Sequence, residues 1–328
     1  MRPYLLSALI FLSPFAALAQ LGDTPGSLDP FTLSVTPQYV TPYSRATIFA
    51  QSSSLNLANA TMVVTVAGKD IYQGGVHSVP IPIGKAGDAV VVKVKITSGG
   101  TSYTQTVSIQ PQDVSIVVEP VSSAPVLYPG KPAVPAGGTS RIVAVANMHT
   151  ARGVAVDPTT LSYSWTVDDT QIESSSGIGR SSLLVASPIA YRSRPVSVTV
   201  TNPDSTLIGG DSTTLYAKDP SVRIYINDPL LGIRFDHALA DTYAIAGAEA
   251  TLYGAPFSFP ITSGAPLLQW FLNGALAQAG ASITLRPTGS GQGGASLSLT
   301  ASSGQSNPAV ANLSLTFGAA ASSNFLGL

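Results

Sequence analysis

Apolar and polar residues alternate with a period of two along most of the chain. The runs Val92–Ile96 (VKVKI) and Ser296–Thr300 (SLSLT) show this alternation most clearly. Because successive side chains of a strand point to opposite faces, the period predicts half-buried strands of antiparallel sheets. The pairs Ala67-Gly68, Asp168-Asp169 and Asn273-Gly274 separate such runs and favour tight hairpin turns. The pattern therefore predicts an all-β chain.

The strand pattern occurs three times. Each block opens with a strand that ends near a proline: TLSVTP (Thr32–Pro37), VSIVVEP (Val114–Pro120) and VRIYINDP (Val222–Pro229). A central strand and a tight turn follow, at Val63–Gly74, Tyr163–Ile172 and Leu268–Gly280. Each block closes with a long hairpin, at Val90–Ile109, Val196–Ala217 and Ala295–Phe317. A period of about 100 residues is the size of one immunoglobulin-like β-sandwich.

We predict three tandem immunoglobulin-like antiparallel β-sandwich domains after a signal peptide. The predicted bounds are residues 1–19 for the signal peptide, 20–112, 113–218 and 219–318 for the domains, and 319–328 for a flexible C-terminal tail. The aligned blocks place Val64, Trp165 and Trp270 at one equivalent position of the central strand. A large ring there crosses the gap between two sheets, so these residues are predicted to form the structural core.

Two short stretches carry a resemblance to known repeats. YSWTVDDTQI (Tyr163–Ile172) and LQWFLNGALAQAG (Leu268–Gly280) resemble the central hairpin of bacterial PKD-like and other Ig-like repeats, although the first block has Val64 in place of tryptophan. The whole chain, through stretches such as TLYGAPFSFP (Thr251–Pro260), resembles uncharacterised secreted proteins of reduced-genome candidate-phylum bacteria. Both resemblances imply an exported, multi-domain protein that works as a stalk, an adhesin or an assembly partner.

The N-terminus has the pattern of a secretory signal peptide. Arg2 precedes an apolar stretch, Tyr4–Phe15, and Ala17-Leu18-Ala19 fits a small-residue cleavage site, so that Gln20 would begin the mature chain. An uncleaved anchor is the alternative. No other apolar stretch reaches 18 residues, so no membrane span is expected in the mature chain. We expect the protein to lie outside the cytoplasm of a bacterium, secreted, on the cell surface or in the periplasm.

Blocks two and three contain long insertions before the central strand. The first, SSAPVLYPGKPAVPAGG at residues 122–138, is rich in proline and predicts a rigid surface excursion. The second, LLGIRFDHALADTYAIAG at residues 230–247, is the one place where a short helix is expected.

Composition and charge exclude several classes of function. The chain has 16 basic and 17 acidic residues, a net charge of −1, and no cysteine. This balance gives no footprint for nucleic acid or for an anionic membrane surface. The absence of cysteine excludes disulfides, zinc–thiolate sites and a cysteine nucleophile.

One polar cluster is a candidate site for chemistry: Arg234, Asp236, His237 and Asp241. Carboxylates and an imidazole can bind a cation, but the spacing matches no metal motif, and a capped local structure is the alternative. No G-x-S-x-G element presents a serine. The sequence therefore predicts no catalytic residue, metal or cofactor, and a hydrolase using His237 remains the minor alternative.

A second cluster indicates protein contact: Arg180, Tyr191, Arg192 and Arg194. Arginine and tyrosine are enriched at interface hot spots, whereas solvated edge charges are the alternative. We expect a non-enzymatic scaffold, adhesion or envelope-assembly protein whose partner is another envelope or surface protein. The alternative is a glycan-binding module that uses aromatic residues, with four candidates in the sequence: Tyr72, Tyr191, Tyr253 and Phe257.

Overall fold

The structure is a computed structural model that describes residues 29–288, 292–304 and 306–318. The predicted signal peptide (1–19) and C-terminal tail (319–328) lie outside the described residues. Strands dominate the described chain, which confirms the predicted all-β, multi-domain Ig-like fold. The chain divides into two compact units. One holds the residues up to Gln112 together with His149–Val154, and the other holds Asp113–Met148 and the chain from Ala155 onward.

The first unit contains one sandwich of antiparallel sheets. Its strands are β1 (Thr32–Thr36), β2 (Arg45–Gln51), β3 (Thr61–Val66), β4 (Lys69–Gly75), β5 (Val79–Pro82), β6 (Val90–Ser98) and β7 (Thr101–Ile109). One sheet has the order β1-β2-β5 and the other has the order β4-β3-β6-β7. Ile48 of β2 and Val64 of β3 belong to the apolar core of this sandwich.

The second unit begins with a sandwich of the same strand order. Its strands are β8 (Asp113–Pro120), β9 (Thr139–Asn147), β10 (Ser162–Val167), β11 (Thr170–Gln171), β12 (Gly177–Ile178), β13 (Ser182–Ala186), β14 (Ser193–Thr201) and β15 (Ile208–Tyr216). One sheet is β8-β9-β13, and the other is β11-β10-β14-β15 with β12 also paired to β10. Ile142 and Trp165 lie in the core between them.

The same unit contains a third sandwich. Its strands are β16 (Ser221–Asp228), β17 (Gly232–Ile233), β18 (Thr242–Ile245), β19 (Ala250–Phe257), β20 (Leu267–Leu272), β21 (Ala275–Ala279), β22 (Ser282–Leu285), β23 (Gly293–Ser303) and β24 (Ser306–Phe317). The sheets are β17-β16-β19-β22 and β18-β24-β23-β20-β21. Strand β18 runs parallel to β24, which is a local departure from the antiparallel pairing predicted from the sequence.

The prediction of a short helix within residues 230–247 is wrong. Strands β17 and β18 and the loop between them occupy this segment. The Asp228 carboxylate accepts hydrogen bonds from the backbone N–H groups of Leu230 and Leu231, at 2.8 and 2.9 Å. This local cap favours a turn over a helix, and Gly232 continues the turn with a φ of 74°.

The residues predicted to anchor the cores are fully buried: Val64, Trp165 and Trp270. Each indole N–H donates to a backbone carbonyl, that of Trp165 to Arg180 at 2.9 Å and that of Trp270 to Gly280 at 3.0 Å. The polar edge of each ring is thereby satisfied, so that burial of the ring carries no unpaired donor.

Gly254 of β19 makes room for the third core. A Cβ atom at this position would lie 2.6 Å from Leu299 Cδ2 and 3.1 Å from Trp270 Cζ2. We expect Gly254→Val to lower the free energy of unfolding by about 1–3 kcal/mol, because the buried neighbours must shift to accept it. Gly75→Val is the matched control, since nothing lies within 4 Å of a Cβ added there. Urea denaturation monitored by circular dichroism distinguishes the two, and equal stability of both variants would contradict the packing described.

The segment that follows β8, Val121–Tyr128, joins the second and third sandwiches, and we call it the strap. Backbone N–H groups of Ser123 and Ser258 donate to the carbonyls of Phe259 and Ser123, at 2.8 and 3.0 Å. The Ser123 hydroxyl accepts the N–H of Phe259 at 3.1 Å, and both Ser122 and Ser123 are buried. The start of the proline-rich segment is therefore an internal connection, in contrast to the surface excursion predicted from its composition.

An aromatic cluster completes this connection. The ring of Tyr128, at the end of the strap, lies 5.6 Å from that of Phe235 and 5.0 Å from that of Phe257. Phe235 in turn lies 5.2 Å from Tyr225 and 6.2 Å from Tyr253, and all four contacts are edge-to-face. Burial raises the pKa of Tyr225 and of Tyr253. Through Tyr128 the strap thus joins a partly buried aromatic cluster on the outer face of β16 and β19.

Candidate functional site

Strands β5, β13 and β22 occupy equivalent places in the three sandwiches, each at the end of its sheet. In every one, two buried residues face the core and flank a single exposed residue. The triplets are Val79-Pro80-Ile81, Leu183-Leu184-Val185 and Ile283-Thr284-Leu285. The three strands can therefore be compared for the residues that each places at the outer edge of its sheet.

Hydrogen bonding shows which backbone groups of β13 point outward. Ala144 donates to Ser181 at 2.8 Å, and Ser187 donates to Gly138 at 2.8 Å, so the odd-numbered residues of β13 bond to β9. In an antiparallel pair the intervening residues direct both N–H and C=O away from the partner strand. The groups on the open edge belong to Ser182, Leu184 and Ala186.

The first sandwich closes this edge with proline. Pro80 and Pro82 occupy the outward positions of β5, and proline has no N–H with which to accept an added strand. The third sandwich has Thr284, whose hydroxyl lies 3.0 Å from that of Thr251. In β13 the central position is Leu184, which is 66% exposed. Strand β13 thus combines outward backbone groups at Ser182 and Leu184 with an exposed apolar side chain, whereas the outward carbonyl of Ala186 accepts a hydrogen bond from Arg194.

An open cleft of about 330 Å³ lies beside β13, between the two sheets of the second sandwich. Polar and apolar groups contribute to its walls in similar measure, and the lining residues are Val167, Asp168, Thr170, Ile172, Leu183, Leu184, Val185, Ala186 and Arg194. A strand added to β13 would place alternate side chains over this cleft. The edge therefore offers both backbone pairing and a place for side chains.

Arg194 closes one end of the cleft. Its Nε lies 2.8 Å from an Asp168 carboxylate oxygen on the β10–β11 turn, and its Nη1 donates to the Ala186 carbonyl at 2.6 Å. The guanidinium thus connects the two sheets at this end. The Arg194 side chain is 29% exposed and that of Asp168 is 48% exposed, so solvent partly screens this ion pair.

The other residues of the predicted contact cluster lie at the two ends of β13. Arg180 precedes the strand and is exposed. Tyr191 and Arg192 lie in the turn that follows it, where Arg192 N–H donates to Ile189 at 3.1 Å. The ring of Tyr191 is 97% exposed. The four predicted residues therefore flank β13 along the chain, and Arg194 contacts the strand at the Ala186 carbonyl.

Neither Leu184 nor the edge of β13 is among the residues predicted from the sequence. The signal that could have found them is the contrast between VPIP at Val79–Pro82 and LLVA at Leu183–Ala186. Both stretches lie before the closing hairpin of their block. Only the first carries proline at alternate positions.

The polar cluster predicted in the third block is only partly assembled. The Arg234 guanidinium lies 3.2 Å from Asp236, and His237 Nδ1 lies 2.9 Å from the same carboxylate. Hydrogen bonds from Arg234 and then His237 lower the pKa of Asp236 to about 2. Asp241 makes a separate contact, through its backbone carbonyl, with the N–H of Ser314. Within residues 29–288, 292–304 and 306–318, no group of three or more His, Asp or Glu side chains is placed to hold a metal ion.

The aromatic residues proposed for glycan binding lie in different sandwiches. Tyr72 belongs to the first unit, where its ring packs edge-to-face against His77 at 4.4 Å. Tyr253 and Phe257 belong to the aromatic cluster that the strap covers. Tyr191 alone presents an open ring. Within the second unit, the three candidates therefore do not share one flat platform.

A search of the described residues for a helix that is long and apolar enough to cross a membrane finds none.

Comparison with known proteins gives likeness of fold alone. No family model matches the chain, and no curated protein matches it. The resemblance to secreted candidate-phylum proteins therefore gains no support. Among solved structures, the chain is similar to the three N-terminal domains of the bacteriophage RB49 Highly Immunogenic Outer Capsid protein, at 12% identity and a TM-score of 0.24, covering 88% of this chain and 98% of that one.

Two other solved structures show similar values. The central fibronectin-III array of RIM-binding protein is 10% identical with a TM-score of 0.30, covering 89% of this chain and 98% of that one. The fibronectin(III)-like modules of Clostridium thermocellum CbhA are 11% identical with a TM-score of 0.24, covering 60% of this chain and 95% of that one.

Proposed function

We propose that the chain is a non-enzymatic exported scaffold that binds another protein by strand addition at β13. An extended segment of the partner would pair with the open edge and continue the sheet β8-β9-β13. The partner would be an envelope or surface protein, and the role would be adhesion or envelope assembly outside the cytoplasm. The signal-peptide pattern of the sequence supports this location.

The observation that supports strand addition is the outward direction of the backbone at Ser182, Leu184 and Ala186. Unpaired N–H and C=O groups at an exposed edge are a template for another strand, and proteins usually block such edges. The first sandwich does so with Pro80 and Pro82, whereas the second has an exposed leucine at the position of Pro80.

The cleft beside β13 supports recognition of particular side chains. In strand addition the main chain supplies affinity, and pockets for alternate side chains supply specificity. Val167, Ile172 and Leu183 contribute apolar groups to the walls of the cleft. We therefore expect the bound segment to carry apolar residues at every second position.

Leu184→Pro tests the proposal by giving the second sandwich the proline that the first already has. The variant removes the outward N–H, which β9 does not use, so we expect the fold to be retained. Thr284→Pro, at the equivalent position of β22, is the matched control. A displayed library of extended segments with apolar residues at alternate positions is selected against the purified protein. We expect selected segments to lose at least about tenfold in affinity for Leu184→Pro and to keep their affinity for Thr284→Pro.

Circular dichroism and thermal unfolding establish that both variants are folded before binding is compared. If folded Leu184→Pro binds the selected segments as tightly as the unaltered protein, the edge of β13 is not the docking site. A library that yields no binder also counts against the proposal.

A further inference from the structure

Two exposed arginines, Arg180 and Arg192, lie before and after β13 in the chain. Arg180 lies immediately before the strand, and its carbonyl is fixed by the indole N–H of Trp165 at 2.9 Å. Arg192 lies in the turn after the strand. Both side chains are exposed, and in the described chain neither guanidinium has a carboxylate within ion-pair distance. The edge is thus flanked by two positive charges that no acidic side chain pairs.

Charge also argues against a second copy of the chain as the occupant. Two copies of β13 could pair antiparallel about Leu184, since Ser182 of one would face Ala186 of the other. That arrangement brings Arg180 of each copy to the end that carries Arg192 in the other, and neither of these arginines has an ion-pair partner in the described chain. Like charges placed together at an interface disfavour that partner.

We propose that the segment that docks at β13 carries acidic residues on both sides of its apolar core. This inference rests on strand addition and specifies the class of partner: an extended protein segment with a carboxylate beyond each end of the paired stretch. Each carboxylate would pair with the arginine at its own end of β13. A partner of this kind pairs with the open backbone, fills the cleft and neutralises both arginines.

Three synthetic peptides test the proposal. They share the core Thr-Val-Thr-Val-Thr and are flanked by Glu, Ser or Lys on both sides. Their binding is measured by isothermal titration calorimetry at low and at physiological salt. We expect the Glu-flanked peptide to bind about tenfold more tightly than the Lys-flanked one at low salt, with a smaller difference at physiological salt because exposed charges are screened.

Charge reversal at the flanks gives the specific readout. Arg180→Glu and Arg192→Glu are each expected to weaken the preference for Glu flanks, and the double variant is expected to reverse it, so that the Lys-flanked peptide binds more tightly. Arg152→Glu is the matched control because Arg152 is an exposed arginine of the first unit. Arg152→Glu changes the net charge of the protein by the same amount as either single substitution at the flanks, and it should leave the preference for the Glu-flanked peptide intact.

The outcomes separate this inference from the proposed function. If all three peptides bind equally and Leu184→Pro weakens all of them, strand addition stands and the acidic partner is overturned. A preference for Glu flanks that Arg152→Glu removes as fully as Arg180→Glu also overturns it, since the effect would then be one of total charge. If no peptide binds, or if folded Leu184→Pro binds them all unchanged, both the inference and the proposed function fall.

Discussion

Replacing Trp270 by alanine is expected to lower the free energy of unfolding by about 3–5 kcal/mol. The indole is fully buried in the third core, and its N–H is paired with the Gly280 carbonyl at 3.0 Å. Truncation leaves a cavity beside Gly254, which has no side chain with which to fill it. Truncation also removes the N–H group that donates to the Gly280 carbonyl.

Urea unfolding followed by circular dichroism measures the Trp270→Ala effect. Leu267→Ala, on the same strand, is the control, because Leu267 is 55% exposed and its truncation removes little buried area. We expect the control to change the unfolding free energy by less than about 1 kcal/mol. Comparable losses in the two variants would show that Trp270 is not the anchor of its core.

Replacing Tyr128 by alanine is expected to uncouple the second and third sandwiches. Its ring contacts both Phe235 and Phe257, at 5.6 and 5.0 Å, and it is the strap's contribution to the aromatic cluster. Loss of this partly buried ring should destabilise the unit by about 2–4 kcal/mol. Because the two sandwiches then unfold independently, the transition of the second unit should split into two.

Scanning calorimetry tests the Tyr128→Ala prediction. Tyr216→Ala is the control, since Tyr216 is 67% exposed on β15 and belongs to the same unit. We expect the control to retain the melting profile of the unaltered protein. An unsplit transition at the original temperature in Tyr128→Ala would mean that the Tyr128 ring does not couple the sandwiches.

The fold could be predicted from the sequence because its determinants are local. Alternation such as that of Val92–Ile96 specifies a strand and its buried face, and turns such as Asn273-Gly274 specify how strands connect. The turn residues Asn273 and Gly274 adopt φ values of 48° and 82°, left-handed conformations that asparagine and glycine readily adopt. Repetition of this pattern at about the length of one sandwich then implies tandem domains.

The strap and the segment 230–247 could not be predicted in the same way. Their conformations depend on contacts between sandwiches, which leave no period in the sequence. Phe235 lies in a segment with apolar residues at helical spacing, yet its ring packs with Tyr128 from the preceding domain. Ser123 lies in a proline-rich stretch typical of a surface loop, yet its backbone pairs with Phe259. In both cases long-range packing determined the structure against the local composition.

The candidate site could be predicted in part. The arginines and Tyr191 are recognisable by residue type, and they flank one strand along the chain. Leu184 could not be identified from its own chemistry, because an isolated exposed leucine is common on protein surfaces. Its significance comes from the register of β13 on β9, which directs its N–H to the open edge, and from the comparison with Pro80.

Amide hydrogen exchange of β13, residue by residue in the presence and absence of a selected segment, tests the central claim most directly. In the free protein, we expect the amides of Ser182, Leu184 and Ala186 to exchange quickly, since they point away from β9. On binding, these three should slow by at least about tenfold, while the amides of Leu183 and Val185, already bonded to β9, should change little. Alternating protection of this kind is the signature of an added strand. Unchanged exchange at Leu184 in a saturated complex, or protection centred on another strand, would contradict the account.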